Sequence, residues 1–388
     1  MGTVTARIGL VFGYGLGYYR DILRGIRLFA ASRPGWLLTP IAPEPVAVQS
    51  LRLLEPDGFI AQIFDPELAR SLQGLGRPLV NVSGVLPELR VPRVGVDHEA
   101  VGRMAAEHLL DRGLRRFGFL GYRDHAFSLG RQEGFRRVVR GAGCEVDVYH
   151  QAETIRWETS GLWRWDEGLE AWIRRLAGPV GVLASHDLQG LQLCEACRRA
   201  GVRVPEEAAI VGVDDDDLLC ELARPPLSSV GLPAERIGFE AARLLDRLLS
   251  APARRAVPRP ILLPPGGVVS RGSSDMLAID DPVLAEALRF IREQAHRPLP
   301  VGEVARAASV SRRSLERRFR SGLGQSVLQQ IRRARVERAR ALLARTGMPI
   351  GEVALASGFG EPKQLSTVFR QETGMTPTAY RGTVRARG

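Results

Sequence analysis

The hydrophobic pattern of the chain changes character once, near residue 281, and that switch limits what the chain can fold into. Before it, short apolar runs of strand length alternate with stretches of helical spacing. Arg7–Phe12, Gly58–Ile63, Pro78–Val82, Arg93–Val96, Phe117–Gly121, Val180–Ala184 and Ala209–Val213 read as strands. Tyr18–Ala31, Ala100–Arg112, Gly130–Ala142, Leu188–Ala200 and Ala234–Leu249 read as helices between them. Such alternation predicts parallel sheets covered by helices, and the stretch to about Val269 is long enough for two of them. Ala251–Pro265 is rich in proline and carries one further strand candidate, Ile261–Leu263; Ser270–Asp281 is polar. Beyond it only helical patterns remain. The expected organisation is therefore an α/β domain over 1–272, a linker over 273–281 and an all-α domain over 282–388.

Charge follows the same boundary. The 388 residues carry a net +11, but Pro282–Gly388 holds 20 Lys+Arg against 8 Asp+Glu, and the remainder holds 34 against 35. A net +12 confined to the last segment points to a polyanionic partner there. Four cysteines in a chain this long fit a reducing compartment. No apolar run of about 18 residues is present, and Met1–Leu10 lacks the regions of a signal peptide. A cytoplasmic protein without membrane contact is expected.

The basic segment contains a weak repeat: GEVA recurs at 302–305 and 351–354. Val301–Ala308 is a short helix pattern, Ser309–Ser311 a turn, and Arg312–Gly322 a second helix that buries Leu315 and Phe319. Ser311 is a good N-cap, because its hydroxyl can accept an orphan backbone N–H. The second unit runs from Ile350–Ser357 through Gly358–Gly360 to Glu361–Thr373, burying Leu365, Val368 and Phe369. These are two helix-turn-helix units, spanning 301–322 and 350–373. Between them, Gln325–Arg345 is helical throughout, about 32 Å at ~1.5 Å per residue. One turn of B-DNA is about 34 Å, so the spacing suits two reading helices in successive major grooves. The many arginines flanking this geometry suit phosphates, and double-stranded operator DNA is the expected partner. The whole segment, and above all EVALASGFGEPKQLSTVFRQETGMTPTAYR (352–381), resembles the AraC/XylS-type DNA-binding domain. The resemblance implies DNA contacts at Arg312, Arg313, Glu316 and Arg317 in the first unit, and at Pro362, Lys363, Ser366 and Thr367 in the second.

In the first 272 residues, polar groups gather where predicted strands end: GRQEGFRR (130–137), VLASHDLQGLQL (182–193) and VGVDDDD (211–217). Open α/β sheets bind ligands at that edge. These segments, with PPLSSVGLPAERIGFEAARLLDRLL (225–249), resemble the LacI/GalR-type sugar-binding core, a two-lobed fold related to periplasmic sugar-binding proteins. The resemblance implies a ligand set of Tyr14, Asn81, Arg131, His186, Asp187 and Asp214. Carboxylates and guanidinium suit a sugar because each can engage two adjacent hydroxyls in fixed geometry. Arg131 and Asp214 are expected to face each other from opposite lobes. A sensor of this type joined to an AraC-type domain resembles the xylose-responsive regulators, which implies xylose or a similar monosaccharide as effector and a homodimer as the assembly. The cluster Trp157, Trp163, Trp165 and Trp172 reads as packing, with a sugar-stacking ring as the alternative.

Other signals carry less. Gly13, Gly15 and Gly17 follow a strand but in the spacing G-x-G-x-G, which fails the dinucleotide fingerprint. Cys194-x-x-Cys197 lies inside a helix pattern and has no second ligand pair for zinc. Asp214–Asp217 reads as a solvated acidic loop. Ser185, His186 and Asp187 are sequence neighbours and cannot form a catalytic triad with one another. No cofactor or metal is expected, and the expected function is regulation of transcription; the alternative is a sugar-modifying enzyme with a DNA-binding tail.

Overall fold

The computed structural model describes residues 6–13, 17–44, 55–86, 88–151, 166–176, 178–250, 259–276 and 281–384. The chain up to Leu263 builds two α/β lobes. The first holds β1 (Ala6–Val11), α1 (Gly17–Ala30), β2 (Trp36–Ile41), β3 (Gly58–Ala61), α2 (Pro66–Gln73), β4 (Leu79–Asn81) and β5 (Val94–Val96). The second holds α3 (His98–Leu110), β6 (Phe117–Tyr122), α4 (Ala126–Gly141), β7 (Val146–Gln151), α5 (Glu167–Leu176), β8 (Val180–Ala184), α6 (Asp187–Ala200), β9 (Ala208–Asp214), α7 (Asp217–Leu222) and β10 (Ser228–Gly231). The chain then returns to the first lobe with α8 (Ala234–Ser250) and β11 (Ile261–Leu263), and crosses again to β12 (Gly267–Val269).

The strand order in the first lobe is β2-β1-β3-β4, all parallel; β11 pairs with β5 beside it, and an Asn81–Arg93 bridge joins the two sheets. The second sheet runs β12-β10-β9-β8-β6-β7, parallel except where β12 lies antiparallel to β10. The chain passes between the lobes after β5, after β10 and after β11. Four of these strands, β2, β7, β10 and β12, lie where the sequence pattern does not read as strand. β2 is an edge strand and tolerates Pro40, which has no N–H to donate.

Each lobe holds one very close helix pair. A Cβ on Gly25 of α1 or Gly238 of α8 would strike the partner helix's backbone, at the carbonyls of Glu235 and Ile22. In the second lobe, Gly102 of α3 and Gly134 of α4 stand likewise against the carbonyls of Arg131 and Glu99. Glycine at these positions lets the helices touch backbone to backbone, and so fixes where α4 carries Arg131.

The segment expected to begin the linker packs instead into the second lobe. Ser273 and Ser274 are fully buried. The Ser273 hydroxyl donates to Ile210 O (2.7 Å) and accepts from Ser228 N (2.8 Å), while Arg112 Nε donates to Ser274 O (2.5 Å). Trp172 is also a packing residue: it is buried on α5 and its indole N–H donates to Asp147 (2.8 Å). Trp157, Trp163 and Trp165 lie outside the described residues.

The last part is helical: α9 (Pro282–Gln294), α10 (Val301–Ala307), α11 (Arg312–Leu323), α12 (Val327–Arg345), α13 (Ile350–Ala356), α14 (Pro362–Thr373) and α15 (Pro377–Val384). The long central helix starts at Val327 rather than Gln325, because Ser326 and Gln329 form a capping box. Its 19 residues span about 28 Å. Val327 and Ile331 lie in the core of the first helix-turn-helix unit, and Val336, Ala339 and Leu343 in the core of the second. α12 is thus a shared rod whose two ends belong to different cores.

This helical domain rests on both lobes. Arg333 on α12 pairs with Asp111 (2.6 Å) just after α3, and Arg115 donates to Gly322 O (3.0 Å). α12 also contacts β12, and α15 contacts α8 of the first lobe. Tyr380, buried on α15, donates its hydroxyl to Pro265 O (3.0 Å), in the segment where the chain crosses between the lobes.

Candidate ligand cleft and nucleic-acid interface

The cleft between the lobes is lined by Tyr18, Tyr19, Val82, Ser83, Gly84 and Val85 from the first lobe. His98, Phe127, Arg131, His186 and Asp214 face them, and Arg93, Gly95, Val96 and Leu262 line the side where the chain crosses. Parallel strands end here, so their following loops supply the polar groups.

Arg131 is only 3% exposed. One terminal nitrogen donates to Ser185 O, another lies 3.7 Å from Asp214 Oδ1, and the guanidinium sits 5.0 Å over the Phe127 ring. Its Nε is buried without a partner. Burial pulls its pKa down, and Asp214 pulls it back up. Asp214 keeps 18% of its side-chain surface. Burial pushes its carboxyl up to about 7, against the opposing pull of Arg131. The two residues meet, but not from opposite lobes as the sequence suggested. Both stand on the second lobe, at α4 and at the end of β9, and the first lobe faces them with the Tyr18 and Tyr19 rings.

The turn after β9 is strained. Asp214 has φ +117° and Asp215 φ +56°, a region that costs residues with a side chain roughly 1–3 kcal/mol each. Asp187 explains how the turn is held. Its carboxylate accepts from Asp216 N (2.8 Å) and from the Ser229 hydroxyl (2.6 Å), and the Cys220 thiol lies 3.5 Å away. Ser229 in turn accepts from Asp215 N (3.0 Å), and Arg271 pairs with Asp215 (2.8 Å). Asp187 therefore does not line the cleft. It is a fully buried strut whose oxygens are spent on the loop that presents Asp214.

Asn81 is also turned away from the cleft. Its Oδ1 accepts from Ser83 N (2.8 Å) and Ile63 N (3.2 Å), and its Nδ2 donates to Ser83 O (3.2 Å). It shapes the loop that brings Ser83–Val85 to the cleft. His186 does line the cleft, buried and neutral, its pKa lowered to about 3 first by burial and then by Arg131. Its Nδ1 accepts from Gln189 N (3.2 Å), which leaves Nε2 to donate to the Tyr122 hydroxyl (2.9 Å). Its polar atoms serve the fold, and its ring stacks on Tyr122. Tyr14 lies outside the described residues. Tyr18, Tyr19, Ser83, Arg93, His98 and Phe127 are cleft residues that sequence reading missed. Arg93 and His98 were the detectable ones, since they flank a predicted strand end.

Asp216 closes the cleft at one point. Its side chain accepts from Gly17 N (2.8 Å) at the start of α1, and also caps α7. The acidic run 214–217 is thus a structural turn with divided roles. Cys194 and Cys197 are buried free thiols on α6, pushed up to about 12 and higher by burial.

In the helical domain, α11 leaves Arg312, Arg313, Arg317 and Arg320 exposed, opposite buried Leu315 and Phe319. Glu316 differs from the expectation: it is half-buried, and its Oε2 is fully buried. On α14, Pro362, Lys363 and Thr367 are exposed and Ser366 is half-buried; the Thr367 hydroxyl donates to Lys363 O (3.0 Å). Much of the arginine charge on α12 is used inside the protein. Arg335 donates to Ala295 O and Arg297 O, Arg338 to Ala356 O, and Arg340 pairs with Glu337. Arg332 remains exposed.

Comparison with known proteins agrees with this architecture. A model of the periplasmic binding protein-like domain matches residues 106–274, and a model of the helix-turn-helix domain matches 304–383. The chain is 29% identical over 383 residues to the xylose operon regulatory protein of Haemophilus influenzae, covering 97% of this chain and 98% of that protein. It is 33% identical over 250 residues to the HTH-type transcriptional regulator CelR of Thermobifida fusca, covering 62% of this chain and 68% of that one. Among solved structures, the xylose-binding transcription activator xylR superposes with a TM-score of 0.60 at 27% identity, covering 98% of this chain and 99% of that one. The chain belongs to the helix-turn-helix transcription regulators of the xylose-operon-regulator type, with a periplasmic-binding-protein-like domain ahead of an AraC-type DNA-binding domain.

Proposed function

We propose that the chain is a cytoplasmic one-component regulator that binds a small sugar between its lobes and an operator duplex through α11 and α14. The observation that carries this reading is Arg131, buried beside Asp214 at the cleft with its Nε unsatisfied. A buried cation with an orphan donor calls for a ligand. The full-length relatives, a xylose operon regulatory protein and a xylose-binding transcription activator, support D-xylose or a monosaccharide of that size. The ligand set narrows to Arg131 and Asp214, with His186 and the Tyr18 and Tyr19 rings as walls. Asn81 and Asp187 support the loops instead. Tyr14, which follows β1 in the sequence, remains in the proposed set.

Ligand binding acts by favouring one arrangement of the lobes over another. The helical domain contacts both lobes and the Pro265 crossing, so a change in lobe angle reaches it directly. The sensor of 1–272 and the DNA-binding part of 282–388 complete this organisation, supported by the burial of Ser273 and Ser274, which extends the sensor's packing slightly past 272. DNA contact falls to Arg312, Arg313, Glu316 and Arg317 on α11, and to Pro362, Lys363, Ser366 and Thr367 on α14. A homodimer reading tandem sites completes the proposal. Sedimentation that shows only monomer at micromolar concentration, with effector and operator both present, removes the dimer.

A thermal-shift screen against pentoses, hexoses and sugar alcohols tests the sensor. A true ligand at 100 times its Kd stabilises the fold by about 2.7 kcal/mol. Sugar recovered unchanged after incubation excludes the enzyme reading, and binding that weakens steeply with salt is the signature of the DNA contact.

A further inference from the structure

The cleft carries more positive charge than a neutral sugar needs. Among the described residues that line it, the charged groups are Arg93, Arg131 and Asp214. Asp214 serves Arg131 at 3.7 Å. Arg93 sits immediately before β5, where the chain crosses between the lobes, and its guanidinium has no hydrogen-bond or ion-pair partner among the described residues. Burial lowers its pKa, so its surroundings already oppose the charge they enclose. Next to it, His98 Nδ1 is buried without a partner, and His98 is held neutral by burial and by the fields of both Arg131 and Arg93. That ring therefore lines the cleft within the fields of both guanidinium groups as a neutral donor or acceptor.

Closing two lobes over this arrangement with a neutral sugar inside would desolvate an unpaired guanidinium, which is costly. An anion on the ligand turns that cost into a charge-assisted hydrogen bond. Arg93 is half-buried, and the orphan nitrogens of His98 and Arg131 line the same cleft, which favours a ligand group over a guanidinium left in water.

We propose that the effector is a monosaccharide-sized polyol bearing one anionic group, a carboxylate or a phosphate monoester. Arg93 binds the anion with His98 beside it, and the Arg131–Asp214 pair holds the hydroxyl end. The inference rests on the cleft being the effector site.

The test is calorimetric titration of the full-length protein with D-xylose, D-xylonate, D-glucuronate and D-xylose 5-phosphate at physiological salt. At least one anionic probe binds tenfold or more tightly than D-xylose, and the preferred arm distinguishes carboxylate from phosphate. Arg93→Gln removes that advantage, so that on the same variant the preferred anionic probe binds no more than twofold more tightly than D-xylose. Arg320→Gln, an exposed arginine on α11, leaves it intact and so excludes attraction by overall charge. D-Xylose binding as tightly as every anionic probe, or an advantage that survives in a folded Arg93→Gln variant, overturns the anion while the cleft reading stands. No binding by any probe at millimolar concentration overturns both.

Discussion

Asp214→Asn separates the two jobs that this aspartate performs. The residue holds a strained backbone, φ +117°, and contributes a carboxylate to the cleft. Asparagine tolerates positive φ better than most residues and matches the volume, so the substitution removes charge with little change in shape. Stability should not fall. Burial has raised the carboxyl to about 7, so at pH 8 its ionised form costs the folded protein more than Arg131 at 3.7 Å returns, and the neutral amide should melt at the same temperature or higher. Ligand affinity should move much more. Hydroxyls that donate to a carboxylate make bonds worth about 1.5–3 kcal/mol, and 1.4 kcal/mol is a factor of ten. The expected loss is about ten- to 150-fold. Calorimetric titration at pH 8, where the wild-type carboxylate is ionised, measures the loss, and thermal melting checks the fold. Wild-type affinity should fall between pH 8 and pH 6, as Asp214 gains its proton and stops accepting, and the variant should lack that slope. A folded Asp214→Asn protein with unchanged affinity removes Asp214 from the site, and with it the central support for the cleft assignment.

Three further outcomes follow from the helical domain and its seat on the lobes. Arg317→Ala should cost about 1–3 kcal/mol on an operator duplex and relax the preference at one base position, whereas Arg332→Ala should at most weaken all duplexes evenly; equal losses on specific and scrambled DNA would make Arg317 a phosphate contact. Tyr380→Phe strands the buried Pro265 carbonyl at a cost of about 1–3 kcal/mol, and should leave effector affinity intact while blunting the effector's influence on DNA binding; a full DNA response in the variant breaks the proposed coupling through the lobe crossing. Burial raises Asp111 to about 6 despite Arg333, so the folded state binds this proton more tightly than the unfolded chain. The stability it contributes is fully present below the ordinary carboxyl range near 3.8 and is lost as pH rises through about 6. Asp111→Asn should flatten that part of the melting profile, and an unchanged profile places the titration elsewhere.

What the sequence reveals depends on whether a residue's partner is local. The switch of pattern near 281, the two helix-turn-helix units and the capping role of Ser311 were legible, because capping and helical spacing act within a few residues. Strands that pack on both faces, such as Phe117–Tyr122, announced themselves as apolar runs. β10 did not, although it is a central strand. Its Ser228 and Ser229 are fully buried polar residues whose hydroxyls bond Arg271 O and Asp187, partners 43 and 42 residues away. The same long reach explains the errors at the cleft. A sequence pattern finds Asp187 and Asn81 at strand ends but cannot tell a carboxylate facing the ligand from one spent on the loop behind it. Nor can it see that Arg93, just ahead of a crossing strand, lacks a counter-charge among the described residues, since an unpaired cation is defined by what the other segments fail to bring near it. That Arg131 and Asp214 meet at the cleft was legible because charge buried at a sheet's ligand edge has few other uses. Their shared lobe was not, because the lobe to which a strand belongs is decided by three chain crossings, and each crossing leaves only a few ordinary residues in the sequence.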